Sequence, residues 1–120
     1  MAANAAIFIG FGPPVRGRER QAVQVFNEAL QYYTQAQQQG EIDSFEPVLI
    51  EPHGGDLGGF ILIRGDREKL NRFRSRPEFM RLTTRASTVV ENTGVVNASI
   101  GEELNRLFSS YESDIGDLIR

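Results

Sequence analysis

Gly59-Phe60-Ile61-Leu62-Ile63-Arg64 is the stretch that decides the fold. Four large apolar residues in a row, opened by glycine and rich in β-branched and aromatic side chains, are too few for a buried helix and read as a strand. Alternation puts Phe60 and Leu62 on one side and Ile61 and Ile63 on the other, so both faces are apolar. A strand with one wet face would carry polar residues at every second position. Something is therefore expected to cover each side of this strand.

Working outward, Pro52-His53-Gly54-Gly55-Asp56 reads as a turn, and Ile42–Glu51 before it as a second strand. In that strand Ile42, Val48 and Ile50 share one side, with Phe45 and Leu49 on the other. Pro47 cannot donate to a ladder, so this is an edge strand or contains a bulge. The pair makes a hairpin with a long glycine-rich tip. Further upstream, Ala5–Phe11 is a strand with Ile7, Ile9 and Phe11 opposite Phe8, ended by Gly12-Pro13-Pro14. Ala22, Val25, Phe26, Ala29, Leu30, Tyr33 and Ala36 then recur at helical spacing across residues 18–39, and Gly40 closes that helix.

Downstream, Asp66 is placed to cap a short helix carrying Leu70 and Phe73. Ser75-Arg76-Pro77-Glu78 has capping-box spacing and starts a helix with Phe79, Leu82, Ala86 and Val89 or Val90 inward. Asn92-Thr93-Gly94 breaks it, and Val95–Ile100 is a fourth strand. The order β-α-β-β-α-β describes an α+β, ferredoxin-like sandwich: a four-stranded antiparallel sheet with two helices on one face. At 120 residues and 40% apolar, the chain suits a single domain spanning 1–120, with a core over 5–100 and an extra C-terminal helix over 101–119.

The second sheet face is left for a second copy or the last helix. Obligate homodimerisation through stacked sheets is the expectation, with an interface of roughly 1,200–2,000 Å². In the last helix Leu104, Leu107, Phe108, Tyr111, Ile115, Leu118 and Ile119 form a stripe, and Glu102 and Glu103 favour the positive end of its dipole. It is expected to belong to the structural core of the assembly, docked on its own subunit or on the partner. If the Phe108 ring is buried, Phe108→Ala would cost about 3–5 kcal/mol.

Gly59-Phe60-Ile61-Leu62-Ile63, a short helix, Arg76-Pro77-Glu78-Phe79 and a closing Val95-Val96 strand resemble the dimeric α/β-barrel superfamily, over roughly residues 5–100. Its members include YCII-related, EthD-like and antibiotic-biosynthesis-monooxygenase-type proteins. The resemblance rests on element order and apolar pattern, and it implies the fold and homodimerisation rather than an activity. YCII-type proteins carry a histidine near the start of the first helix, where this chain has none. The chain also lacks the tryptophan that monooxygenase-like members often place in the pocket.

Composition narrows the chemistry. With no cysteine there is no disulfide, thiolate nucleophile or zinc–thiolate cluster, and one histidine excludes any site that needs two. No metal or cofactor is expected. No apolar run approaches the ~18 residues of a membrane span, no signal peptide opens the chain, and a cytoplasmic location is the default. Residues 64–85 hold eight of the thirteen basic residues against three acids. The net charge of −3 and the lack of an RNA-binding motif on the sheet argue against nucleic acid. The acidic C-terminal helix is the more economical partner for those arginines. Gly54-Gly55-Asp56-Leu57-Gly58-Gly59 leads into a strand rather than a helix, so it is no phosphate loop.

Two functional readings compete. In the first, the protein binds a small molecule in the cleft between sheet and helices, with Phe26, Tyr33 and Phe60 as pocket residues. In the second, it is a cofactor-independent, monooxygenase- or isomerase-like enzyme. His53 would then be the general base, with Asp56 or Glu51 orienting its imidazole. The deciding observation is whether His53 meets other polar groups inside a closed cavity.

Overall fold

β1 (Ala5–Phe11) is a central strand of the sheet, paired on both edges. The computed structural model describes residues 3–119. α1 (Glu19–Gln38) follows β1, then β2 (Ser44–Leu49), β3 (Gly59–Gly65), α2 (Arg67–Arg74), α3 (Pro77–Ser87), β4 (Gly94–Ser99) and α4 (Glu102–Ile115), with a 3-10 turn over Gly116–Ile119. The strands lie in the order β2-β3-β1-β4 and every neighbouring pair is antiparallel. This is the ferredoxin-like α+β fold. Pro47 falls in β2, an edge strand, where a missing ladder donor is tolerated.

The register sorts the sheet into two faces. Ile7 and Ile9 of β1 share one face with Ile61 and Ile63 of β3 and Phe45 of β2, and α1, α2 and α3 cover it. Tyr33, Leu70, Phe73, Phe79 and Leu82 complete this core, with Tyr33, Phe73 and Phe79 packed ring to ring at 5.3–6.2 Å. Phe8, Phe60, Leu62, Val48 and Val96 occupy the other face. There Phe8 and Phe60 stack at 5.2 Å and remain partly exposed.

Two expectations need correction. The strand read as Ile42–Glu51 is the shorter Ser44–Leu49. Gly40, at a φ of +75°, turns the chain, so residues 41–43 form a bend. Ile42 thereby drops into the helix-side core at 1% exposure, out of phase with Val48. The Ser75–Glu78 capping box does not form. The Ser75 hydroxyl turns back to donate to the Asn71 carbonyl at 2.9 Å, and α3 starts on Pro77 after an uncapped Arg76. By contrast, the Asp66 carboxylate accepts from the Lys69 amide at 2.9 Å and caps α2.

The last helix leaves one of its two expected docking surfaces, that of its own subunit, empty. α4 forms where its apolar period places it, yet none of its residues is buried. It makes no extensive contact with any element except the 3-10 turn that continues it. Phe108 and Tyr111 are each 62% exposed. The arm stretches the chain to a radius of gyration of 16.6 Å, against about 13–14 Å for a compact domain of this length. Within one chain, α4 is not part of the core. Among the described residues, no helix is long and apolar enough to cross a membrane.

Candidate functional site

The inner face of α1 is lined with small residues. Ala22, Val25 and Ala29 are buried there, and Ala86 of α3 faces the same space. Helices held apart by the sheet cannot fill that space with methyl groups, so a cavity of about 350 Å³ remains between α1, α3 and the end of the sheet. Ile9, Phe11 and Ile61 form its floor, with Phe26 and Tyr33 on the α1 side and Leu82 on the α3 side. Its mouth opens beside Pro13, Pro14, Val23 and Leu49. Leu49 and Val23 are 73% and 61% exposed, so the rim is apolar and wet.

The walls are braced from outside. Arg85 of α3 donates to both carboxylate oxygens of Glu28 on α1, at 2.9 and 3.1 Å. That bidentate bond holds the Glu28 carboxyl below its ordinary pKa. At the mouth, the Gly12 amide donates to the Glu91 carbonyl at 2.7 Å and the Gly58 amide to the Phe11 carbonyl at 2.8 Å. Gly12 lies so close to its neighbours that a Cβ there would come within 2.9 Å of the Asp56 and Glu91 carbonyl oxygens. Three loops are thus clamped around the entrance, and only glycine fits the crossing point.

Polar groups in the cavity are few. Thr83 already donates its hydroxyl to the Phe79 carbonyl at 3.0 Å. The Thr93 hydroxyl is buried and has no hydrogen-bond partner, which leaves a donor and acceptor free at the lining. Tyr33 is the one titratable side chain among the lining residues. Burial pushes its phenol pKa well up, so it stays protonated and can donate but cannot serve as a base at neutral pH.

The residues singled out from sequence do not all meet here. Phe26 and Tyr33 line the cavity. Phe60 lies on the opposite face of the sheet, stacked on Phe8, because it is one residue out of phase with Ile61. His53 and Asp56 are exposed on the β2–β3 loop and are not among the lining residues. The His53 Nδ1 accepts from the Gly55 amide at 3.3 Å, which leaves Nε2 to donate to the Leu57 carbonyl at 2.8 Å. Both ring nitrogens are therefore spent on the backbone of their own loop, and no hydrogen bond joins His53 to Asp56. Among the described residues, no three His, Asp or Glu side chains converge as a metal site. Sequence reading missed Thr93, Leu49 and the alanines that create the cavity. The run of small residues on the inner face of α1 was the available signal.

No protein-family model matches the chain, and no curated protein matches its sequence. Solved structures do. A hydroxynitrile lyase from Passiflora edulis superposes with a TM-score of 0.65 at 13% identity, covering 83% of this chain and 96% of that one. A dimeric ferredoxin-like protein of unknown function from Jannaschia sp. CCS1 gives 0.61 at 11% identity, over 81% and 97%. The chain has their fold. SnoaB, a cofactor-independent oxygenase from Streptomyces nogalater, is similar as well, at a TM-score of 0.50 and 14% identity over 82% and 93%. These ferredoxin-like neighbours include enzymes and proteins of unknown function, and at such identities the likeness extends to the fold alone.

Proposed function

We propose that the protein is a cytoplasmic homodimer, assembled through its open sheet faces, that binds a largely apolar small molecule in the cavity between sheet and helices. The observation that carries the binding reading is the cavity itself. It is about 350 Å³ in volume, apolar in its floor and walls, with the unpartnered Thr93 hydroxyl at its lining. That volume suits a small-ligand site, in which burial supplies affinity and one or two polar groups set orientation. The ligand this favours is neutral and aromatic or aliphatic, with one oxygen to meet Thr93, since a charge would find no counter-ion among the lining residues. Dimerisation is supported by the uncovered Phe8, Phe60, Leu62 and Val96 on the outer face and by similar folds described as dimeric. The alternative of an enzyme with His53 as base gains no support from the position of that ring, outside the cavity and hydrogen-bonded to its own loop.

Titration of isotope-labelled protein with 2-naphthol, a neutral aromatic alcohol, tests the reading. Saturable chemical-shift changes are expected at Phe11, Phe26, Tyr33 and Thr93. Ala29→Phe, which fills the cavity from α1, should abolish them, and His53→Ala should leave them in place. Changes centred instead on Phe8 and Phe60, or none at all, would contradict it.

A further inference from the structure

Besides the outer sheet face, two apolar features of this chain lack a partner, and they sit at opposite ends of the sheet. α4 leaves from the end where β1 begins: the Ile100 amide donates to the Asn4 carbonyl at 3.2 Å, and Gly101 lies against the Ala3 carbonyl. The cavity mouth lies where β1 ends, at Phe11–Pro14. A seven-residue strand separates them by about 23 Å. The helix does not fold back over its own mouth; it stands off the body with Leu104, Leu107, Phe108 and Tyr111 in solvent. An isolated helix of fourteen residues is marginal in water, so this one needs a surface to dock on.

The charges indicate which surface. On α4 and its 3-10 extension, Glu102, Glu112, Asp114 and Asp117 form no ion pair among the described residues, while Glu103 is paired with Arg106. Five cations of α2, α3 and the turn between them are occupied, Lys69 by Asp43, Arg76 by Glu41, Arg85 by Glu28, and Arg67 and Arg74 on β4 carbonyls, while Arg72 and Arg81 are exposed and form no ion pair among the described residues. Near the mouth in sequence, Arg16 follows Pro14 by two residues and Arg20 precedes Val23 by one helical turn of α1; both are exposed and form no ion pair among the described residues, and the rim residues Val23, Leu49, Pro13 and Pro14 are exposed as well. Exposed apolar surface and free positive charge thus coincide at the mouth, and α4 carries their complements. An acidic amphipathic helix fits such a rim.

We propose that α4 is an exchanged arm: in the homodimer each copy lays the Leu104–Leu107–Phe108–Tyr111 face of α4 over the cavity mouth of the other copy, with its carboxylates toward Arg16 and Arg20. The inference rests on the dimer and the cavity proposed above and goes beyond both, because it makes each binding site incomplete without the partner chain. Two-fold symmetry requires both arms to cross, so the contact is made twice per dimer.

The sequence permits a clean test, because it contains neither tryptophan nor cysteine. Phe108→Trp places a single indole on α4 of the full chain. Its emission is expected at short wavelength where light scattering finds the dimer, shifting to long wavelength on dilution to monomer. Val23→Cys and Leu107→Cys chains, mixed and oxidised, should give a covalent species of twice 13.4 kDa. Met80→Cys with Leu107→Cys should not, and adding Arg16→Glu and Arg20→Glu should lower the yield several-fold. A short-wavelength indole that ignores dilution means the helix docks on its own chain and overturns the proposal. A dimer with a solvent-exposed indole, or a crosslink to residue 80 rather than 23, overturns the arm while leaving the dimer standing. A monomer at all concentrations removes both.

Discussion

Phe73 and Phe108 are the same side chain on the same kind of amphipathic helix, and their surroundings differ completely. Phe73 on α2 is 1% exposed, stacked with Tyr32 at 5.5 Å and packed against Tyr33 and Phe79. Phe108 on α4 is 62% exposed and joins no aromatic pair. α2 is tied down at both ends of its chemistry: Asp66 caps its first turn, and Leu70 and Phe73 enter the core. α4 begins at Gly101 with no side-chain cap and buries nothing. Helical periodicity reports that a face needs covering; it does not report what covers it.

The strongest test of that difference is a pair of truncations read by chemical denaturation. Phe73→Ala should cost about 3–5 kcal/mol, the range for a fully buried phenylalanine. Phe108→Ala, measured at concentrations low enough to keep the chain monomeric, should cost less than about 0.5 kcal/mol, as for an exposed site. Equal losses at every concentration would mean that α4 belongs to its own subunit's core after all. Next in size is the cap. Asp66→Ala should lower stability by about 1 kcal/mol, because the Lys69 amide loses its acceptor. A cost near zero would show that α2 is held by its buried face alone.

The smallest effect concerns the brace across the cavity. The hydrogen bonds from Arg85 hold the Glu28 carboxyl below its ordinary value of 4.5. A lowered folded-state pKa contributes stability that is fully present above that ordinary value and is lost as pH falls through the folded value. Acid denaturation of Arg85→Gln should therefore be less steep than that of the parent below about pH 4.5. The difference should be modest, since both partners are partly solvated and the pair is screened. Identical acid limbs would mean the bond does not stabilise the α1–α3 contact.

Much of the fold was legible because it is local. Strand alternation in Ala5–Phe11 and Gly59–Gly65, and the helical period through Ala22–Ala36, belong to single segments, and each emerged in the structure with its faces as read. The site was less legible. A cavity is the difference between the space three elements enclose and the side chains that fill it, and no single segment carries that difference. Ala22, Ala29 and Ala86 each read as an ordinary core position. Thr93 read as part of a break, yet it leaves its hydroxyl unpartnered at the lining.

The sequence by itself determined the element order, the two-sided apolarity of the central strands and the amphipathic period of the last helix. Each follows from the spacing of apolar residues against a fixed backbone repeat. Tertiary structure alone decided where those faces went. It put Phe60 behind the sheet from Tyr33, turned His53 onto its own loop through Gly55 and Leu57, and left α4 without a surface of its own chain to lie on. Those outcomes depend on register, on loop closure and on which surfaces meet across the sheet. They are set by distances between residues far apart in the chain, which local spacing does not encode.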